Sequence, residues 1–232
     1  MRGLAGLLCL CLAAGPAAAQ NVRQVAIQQI APVLNAIVDF EGFNAGAEPG
    51  KEMSRLVSGA GASVGAAFAG QRRRTNDIAS SAGRHFEFDP AHRPAQPLRL
   101  SGDGSFVIAW HRGFSSDAAL PVGPDGANRA SGRGEGTLAV VFEDDQTALA
   151  FRLHADYPDP LGTRPPAGTA QVSFFARDGA VLETTTIPLH HGVMTLGFEA
   201  MATGIAGFTI SNTDPGGIAV DDIMFRRSVP TG

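Results

Sequence analysis

The chain has 232 residues and a formal net charge of −4, with 44% hydrophobic and 17% charged residues. This length is enough for one domain with a large core, and the slightly acidic charge gives no reason to expect a nucleic-acid partner. No apolar stretch reaches the ~20 residues that a membrane helix needs, so we expect no membrane span.

The first 19 residues have the three-part layout of a secretory signal peptide. One basic residue, Arg2, precedes an apolar run and a stretch of small residues. We therefore predict cleavage near Ala19 and a secreted or periplasmic location. Cys9 and Cys11 lie in the removed segment. The mature chain then has no disulfide, and a large core or bound ions must stabilise it.

After the signal peptide, residues 20–36 are predicted to form a lead-in. Residues 22–34 fit helical spacing loosely, although Pro32 would end such a helix early. Short apolar segments with a period of two then predict strands. These segments are 37–41, 63–68, 85–88, 106–110, 138–142, 149–153, 172–174, 181–187, 193–198, 208–211 and 218–225.

Two of the turns between these strands predict hairpins. The acidic run 143–146 separates two segments with alternating apolar residues, and the Asp178-Gly179 step separates the next two. Many short strands without alternating helices predict an all-β sandwich or barrel. This single domain is expected to cover 37–227, followed by a tail at 228–232.

Two long segments rich in Pro, Gly, Asp and Arg, 89–104 and 113–136, are predicted to be loops. Loops at the end of a sandwich often contain binding sites, but this composition also suits disordered spacers. The arginine run 72–74 has no second basic cluster or aromatic residue near it, so we interpret it as a solvated loop.

The first predicted strand exposes two carboxylates on one face. Val38 and Phe40 share the core face, which leaves Asp39 and Glu41 on the other. In the last predicted strand, the apolar residues before and after 221–222 have opposite parity. A β-bulge at that point would bring all of them to one core.

Such a bulge would turn Asp221 or Asp222 inward, where an unpaired carboxylate is costly. An Arg or a hard cation such as Ca²⁺, which binds oxygen ligands, could compensate the charge. The alternative is a solvent-facing bend, with Glu41 as a charge at the rim.

The two terminal segments, residues 38–42 and 217–225, resemble the first and last strands of jelly-roll domains of the MAM type. They also resemble secreted bacterial jelly-rolls associated with a PEP-CTERM sorting tail. The resemblance implies a jelly-roll β-sandwich whose terminal strands are adjacent and hold a structural Ca²⁺. The implied ligands are Glu41 and Asp222, with Asp221 as the alternate. The chain departs from MAM domains in its cysteines and shows no sorting-tail motif, so no anchoring by that route is expected.

Trp110 and Tyr157 are the only Trp and Tyr of the chain. Aromatic rings of this kind often stack on sugars. Trp110 ends an apolar strand, so a half-buried position at the core edge is the alternative, whereas Tyr157 lies in a predicted loop. Both are candidate ligand-binding residues.

The favoured function is a secreted, non-catalytic binding or extracellular structural module, stabilised by Ca²⁺, with a glycan or matrix component as the candidate partner. The alternative is a secreted carbohydrate-active hydrolase or lyase on the same scaffold. Glycoside hydrolysis needs two carboxylates that flank the sugar, and the acidic cluster 143–145 lies in a predicted turn.

Overall fold

The computed structural model describes residues 20–80, 83–155 and 167–228. The predicted signal peptide and most of the tail lie outside these residues. The strands are β1 Val22–Val25, β2 Ala36–Val38, β3 Lys51–Met53, β4 Val57–Gly59, β5 Ala62–Gly65, β6 Arg72–Ser80, β7 Gly83–Ala91, β8 Phe106–His111, β9 Ser116–Pro121, β10 Leu138–Gln146, β11 Ala148–Ala155, β12 Thr169–Phe175, β13 Val181–Pro188, β14 Gly192–Ala200, β15 Ile205–Asn212 and β16 Ile218–Phe225. One short helix, α1 (Ile27–Ile30), and the 3-10 turns Ala31–Val33, Glu41–Phe43 and Ala130–Gly132 complete the described elements.

Two antiparallel sheets form the sandwich. The first has the order β1-β14-β11-β16-β9-β8-β3, and β2 also pairs with β16. The second has the order β13-β12-β15-β10-β5-β4, and β6 and β7 form a separate two-stranded ribbon. The predicted all-β sandwich is therefore confirmed, whereas the jelly-roll topology stays a prediction.

Buried phenylalanine rings join the two sheets. Each of three close pairs has one ring from each sheet, and such pairs add ~0.5–1.5 kcal/mol beyond the burial of their area. The pairs and their centroid distances are Phe142–Phe225 at 5.0 Å, Phe151–Phe208 at 5.4 Å and Phe174–Phe198 at 4.8 Å. The core lies between the sheets along these rings.

The prediction of a hairpin around the acidic run 143–146 is wrong. The strand before it, β10, belongs to the second sheet, and β11 belongs to the first. The run extends β10, and Arg177 holds it by donating hydrogen bonds to the Phe142 carbonyl and to Asp145. The chain then crosses the core edge, where buried Gln146 accepts a hydrogen bond from the Arg226 amide. Alternating apolar residues predict a strand but not its partner.

The second predicted hairpin is confirmed. Strands β12 and β13 pair in antiparallel register on either side of the Asp178-Gly179 turn. Gly179 has a φ of +79°, which is the left-handed conformation that glycine adopts at little cost.

The lead-in is mainly not helical. Its first residues form β1, which pairs with β14 and buries Val22. Helix α1 has only four residues, and Pro32 lies in the 3-10 turn that follows it. Pairing with an edge strand therefore prevails over the weak helical spacing.

The long predicted loops contain regular structure. Strand β9 lies within 113–136, and β7 extends into 89–104. The arginine run 72–74 belongs to β6 rather than to a loop, and its side chains are exposed.

An outer layer covers part of the second sheet on the side away from the core. A small apolar cluster fixes the segments next to the β6–β7 hairpin to that face. Its members are Phe68, Leu98, Leu100, Ala139, Phe175 and Ala206. The hairpin itself contacts β15 through β7.

A buried pair of imidazoles lies beside the first sheet. The rings of His111 and His154 are 4.6 Å apart, and the Gly113 amide donates a hydrogen bond to His111 Nδ1 at 3.2 Å. Burial lowers the pKa of His111 to about 4, and the charge of Arg112 lowers it further. His111 is therefore neutral at pH 7.

Acid should destabilise the fold through His111. The pKa of His111 is about 4 in the folded state against an ordinary 6.5, so the stabilisation is present above pH 6.5 and is lost as the pH falls towards 4. His111→Asn retains an oxygen that can accept the Gly113 hydrogen bond but does not titrate. Urea unfolding across this window should show a steeper loss of stability for the wild type, and parallel curves would contradict the assignment.

Candidate functional site

The last strand, β16, is the meeting point of the two ends of the domain. It pairs with β11 on one side, while its residues Ile223–Phe225 pair with β2 and Val220 pairs with Ala119 of β9. The expected contact between the first and last predicted strands is observed.

The predicted β-bulge in β16 is confirmed. Ala150 of β11 pairs with Met224, but Arg152 pairs with Asp221, so β16 contains one extra residue between these pairs. Asp222 takes the left-handed φ of +49° at this point. The bulge gives the two aspartates different surroundings.

Asp221 is buried, with 1% of its surface exposed. Ser116 Oγ donates a hydrogen bond to it at 2.7 Å, and the Asp222 amide donates a second at 2.8 Å. Burial raises the pKa of Asp221 to about 7, even though both hydrogen bonds lower it. The carboxyl therefore lacks a full counter-charge among the described groups.

Asp222 points to a different partner. Its Oδ2 accepts a hydrogen bond from Arg152 Nη1 at 2.8 Å, in an ion pair that is partly exposed. The Arg152 guanidinium also lies 5.0 Å from the centre of the Phe114 ring. The sequence suggested an arginine or a hard cation as the counter-charge for these aspartates. For Asp222, the counter-charge is the guanidinium of Arg152.

Glu41 is not in a strand, contrary to the predicted strand at 37–41. Strand β2 ends at Val38, Phe40 has a φ of +59°, and Glu41 begins a 3-10 turn. The turn keeps Phe40 in the core and brings Glu41 Oε1 to 3.0 Å from the Asp117 amide.

Glu41 and Asp221 therefore contact neighbouring residues at the start of β9. Glu41 accepts from Asp117 and Asp221 accepts from Ser116, while Asp117 Oδ2 accepts a hydrogen bond from the Ala45 amide. These contacts put three carboxylates around one strand end. The calcium site predicted for Glu41, Asp221 and Asp222 stays a prediction.

A second cluster, which the sequence analysis missed, could hold a metal ion. Within residues 20–80, 83–155 and 167–228, one group of His, Cys, Asp or Glu side chains has at least three ligand atoms that all lie within 4.8 Å of one another. It consists of His85, Glu87 and Glu135. Glu87 and Glu135 expose only 1% and 2% of their surface.

Backbone contacts fix this cluster between the outer hairpin and the sandwich. His85 and Glu87 are two residues apart on β7, so their side chains share a face. The Phe88 amide donates to the Glu135 carbonyl at 2.8 Å. Gly134 has a φ of +92°, and a Cβ there would lie 2.7 Å from the Ile218 amide nitrogen, so a larger residue would displace Glu135.

Burial disfavours the ionised form of both carboxyls. Burial raises the pKa of Glu87 well above its ordinary value, and the adjacent Glu135 raises it further. Burial also raises the pKa of Glu135, although a hydrogen bond from Glu87 lowers it. The only sequence signal for this cluster was one strand with His85 and Glu87 at alternate positions. Glu135 could not be connected with them, because it lies 48 residues from Glu87 along the chain (135 minus 87).

Next to this cluster, a polar groove of about 230 Å³ lies between the hairpin and the outer face of the second sheet. Amide, hydroxyl and carboxylate groups line it. They include Asn76, Asp89, Gln171, Thr186, Ser211 and Thr213.

Trp110, one of the two candidate aromatic ligand-binding residues, does not line this groove. Trp110 lies on β8 of the first sheet with 46% of its surface exposed. Tyr157 lies outside the described residues. Trp110 is therefore an exposed ring on another part of the molecule.

Comparison of the chain with protein-family models, curated proteins and solved structures found no match. In the described residues, no helix is long and apolar enough to cross a bilayer. The function must therefore be inferred from the geometry of these sites.

Because Asp222 lies in the bulge with a positive φ, two substitutions at this position should reduce the free energy of unfolding by different amounts. Asp222→Asn tolerates positive φ and loses only a partly exposed ion pair, so it should reduce the free energy of unfolding by no more than ~1 kcal/mol. Asp222→Val places a β-branched residue in the left-handed region and should cost ~1–2 kcal/mol more. Denaturant unfolding of both variants measures the difference, and equal costs would contradict the role of the bulge.

Proposed function

We propose that this protein is an exported, non-catalytic β-sandwich that binds a polyhydroxylated ligand, such as a glycan, in the groove beside the β6–β7 hairpin. The observation that carries this proposal is the lining of the groove. Its amide, hydroxyl and carboxylate groups can donate and accept hydrogen bonds, as sugar hydroxyls require. The groove is smaller than the ~300–1,000 Å³ pockets that enclose whole ligands, which suits contact with a short part of a long chain.

The sheet itself positions several of these groups. Gln171 of β12 pairs with Ser211 of β15, and both side chains lie on the outer face. The hairpin adds Asn76 and Asp89, whose side chains are hydrogen-bonded to each other at 3.4 Å. Polar groups from two layers therefore converge on one groove.

The geometry favours binding over the hydrolase alternative. Glycosidases separate their two carboxyls by at least ~5 Å so that these groups flank the sugar. Glu87 and Glu135 instead contact each other, are almost fully buried and do not line the groove. Such a pair cannot act on the two sides of one glycosidic bond.

Replacing groove residues should weaken binding to a glycan array. Gln171→Ala or Asn76→Ala removes about one hydrogen bond, which corresponds to a ~3–10-fold loss of affinity. Trp110→Ala tests the aromatic alternative, and Thr195→Ala, an exposed threonine on β14, is the matched control. Loss of binding only in Trp110→Ala would contradict the groove assignment, and an array without any bound glycan would favour a structural role.

We further infer that a Ca²⁺ ion stabilises the junction of the terminal strands. Glu41 accepts a hydrogen bond from the Asp117 amide, and the buried Asp221 accepts one from the side chain of Ser116, the preceding residue of β9. Burial raises the pKa of Asp221 in spite of its hydrogen bonds. A hard cation that binds carboxylate oxygens would restore the charge balance. The same ion would link the turn that follows β2 with β9 and β16.

Calcium should raise the melting temperature of the protein. Saturation at about 100 times the dissociation constant adds ~2.7 kcal/mol, which for this size is a rise of roughly 5–10 °C. Glu41→Gln and Asp221→Asn should abolish the rise, and Asp144→Asn, which removes an exposed carboxylate, should retain it. Coincident melts with calcium and with chelator would contradict a calcium site.

A further inference from the structure

The outer layer contains buried polar atoms without partners. Four buried atoms of this cluster have no hydrogen-bond partner among the described residues: both ring nitrogens of His85, Glu87 Oε1 and Glu135 Oε2. Each buried polar group that lacks a hydrogen bond costs ~1–3 kcal/mol. Four such atoms in one cluster indicate a partner that the protein chain does not supply.

No described basic side chain other than His85 lies within ion-pair distance of Glu87 or Glu135. His85 Nε2 is 3.7 Å from Glu87 Oε1, which is too long for a hydrogen bond. The Asn212 amide reaches Glu87 Oε2 at 3.4 Å but also donates to the Gly134 carbonyl at 2.9 Å. Glu87 Oε1 and Glu135 Oε2 therefore remain without a hydrogen-bond partner.

A metal ion would satisfy the unpaired atoms together. One imidazole nitrogen and two carboxylate oxygens already converge within 4.8 Å. Two negative charges match a divalent cation, and the low exposure of both glutamates would exclude most competing water. Hairpin and sandwich each contribute to the set, since His85 and Glu87 lie on β7 and Glu135 precedes β10.

The ligand types narrow the choice of ion. Calcium and magnesium prefer sites made only of oxygen, whereas an imidazole favours zinc and other first-row transition metals. Zinc is commonly held by His with Asp or Glu, and three protein ligands leave its fourth position to water. The cluster thus differs in chemistry from the all-oxygen junction of Glu41 and Asp221.

We propose that His85, Glu87 and Glu135 form a binding site for a divalent first-row transition metal, with zinc as its preferred ion. The metal clamps the β6–β7 hairpin onto the sandwich. Because its ligands do not line the groove, the site stands whether or not the groove binds a glycan.

Isothermal titration of the chelator-treated mature protein with zinc tests this site. We expect one zinc ion per chain, with calcium unable to compete at equal concentration. His85→Asn, Glu87→Gln and Glu135→Gln should each weaken zinc binding by at least about tenfold. His92→Asn is the matched control, because His92 is an exposed histidine just beyond β7, and it should bind zinc as the wild type does.

X-ray absorption at the zinc edge of the wild-type protein keeps the test valid if a variant fails to fold. The account predicts a first shell with one imidazole nitrogen and carboxylate oxygens. It would be overturned if the wild type bound no zinc, if the folded variants bound zinc with wild-type affinity, or if calcium bound this site more tightly than zinc. A first shell without imidazole would also overturn it.

Discussion

The free-energy cost of burying carboxylates constrains both the bulge in β16 and the docking of the β6–β7 hairpin. The aromatic core needs no ion, because its rings pack across the two sheets without polar atoms. At two places in the described structure, however, burial raises the pKa of acidic side chains. Asp221 lies where β16 bulges beside β9, and Glu87 meets Glu135 where the hairpin docks. Each carboxylate must keep a proton or obtain a cation.

The groups that surround the buried carboxylates differ chemically between the two places. At the bulge, neighbouring hydrogen-bond donors and Arg152 surround the two aspartates, and the remaining ligands are oxygens. At the hairpin, an imidazole joins the carboxyls and there is no arginine or lysine partner among the described residues. If both proposals hold, one fold would offer a hard-cation site and a transition-metal site, and each would link elements that are distant in sequence.

The β6–β7 hairpin contributes residues both to the proposed metal site and to the groove. Its β7 strand carries two of the proposed zinc ligands on the same face as Asp89, which lines the groove. An ion that fixes β7 would fix this wall of the groove as well. Pre-ordering of a binding surface reduces the entropy lost when a ligand binds. The proposed metal site and groove are distinct, but they share one structural element.

The sequence allowed much of the sandwich to be predicted, because alternating apolar residues determine which residues face the core. The bulge at 221–222 followed from parity alone, and the hairpin at Asp178-Gly179 followed from turn chemistry. Sheet partners could not be predicted in the same way, and β10 and β11 fell in different sheets. The left-handed residue Phe40, which turns Glu41 out of the strand, leaves no pattern in the sequence.

The second cluster could not be predicted, because its members meet only through tertiary packing. His85 and Glu87 resemble ordinary outward residues of a strand until another layer covers them. Glu135 was assigned to a loop, and Gly134 gave no sign that it brings the next side chain inward. Strand β6 was not predicted, because its first three residues are all arginines and show no alternation of apolar and polar residues. Long-range pairing decided each of these features.

Anomalous diffraction from crystals grown with both zinc and calcium tests the central claim most directly. Data recorded on either side of the zinc absorption edge locate zinc independently of calcium. The account predicts a zinc peak bounded by His85, Glu87 and Glu135, and a calcium ion between Glu41 and Asp221. The account would be contradicted if the crystals bound zinc elsewhere but showed no zinc peak beside Glu87 and Glu135, with these two side chains in direct contact.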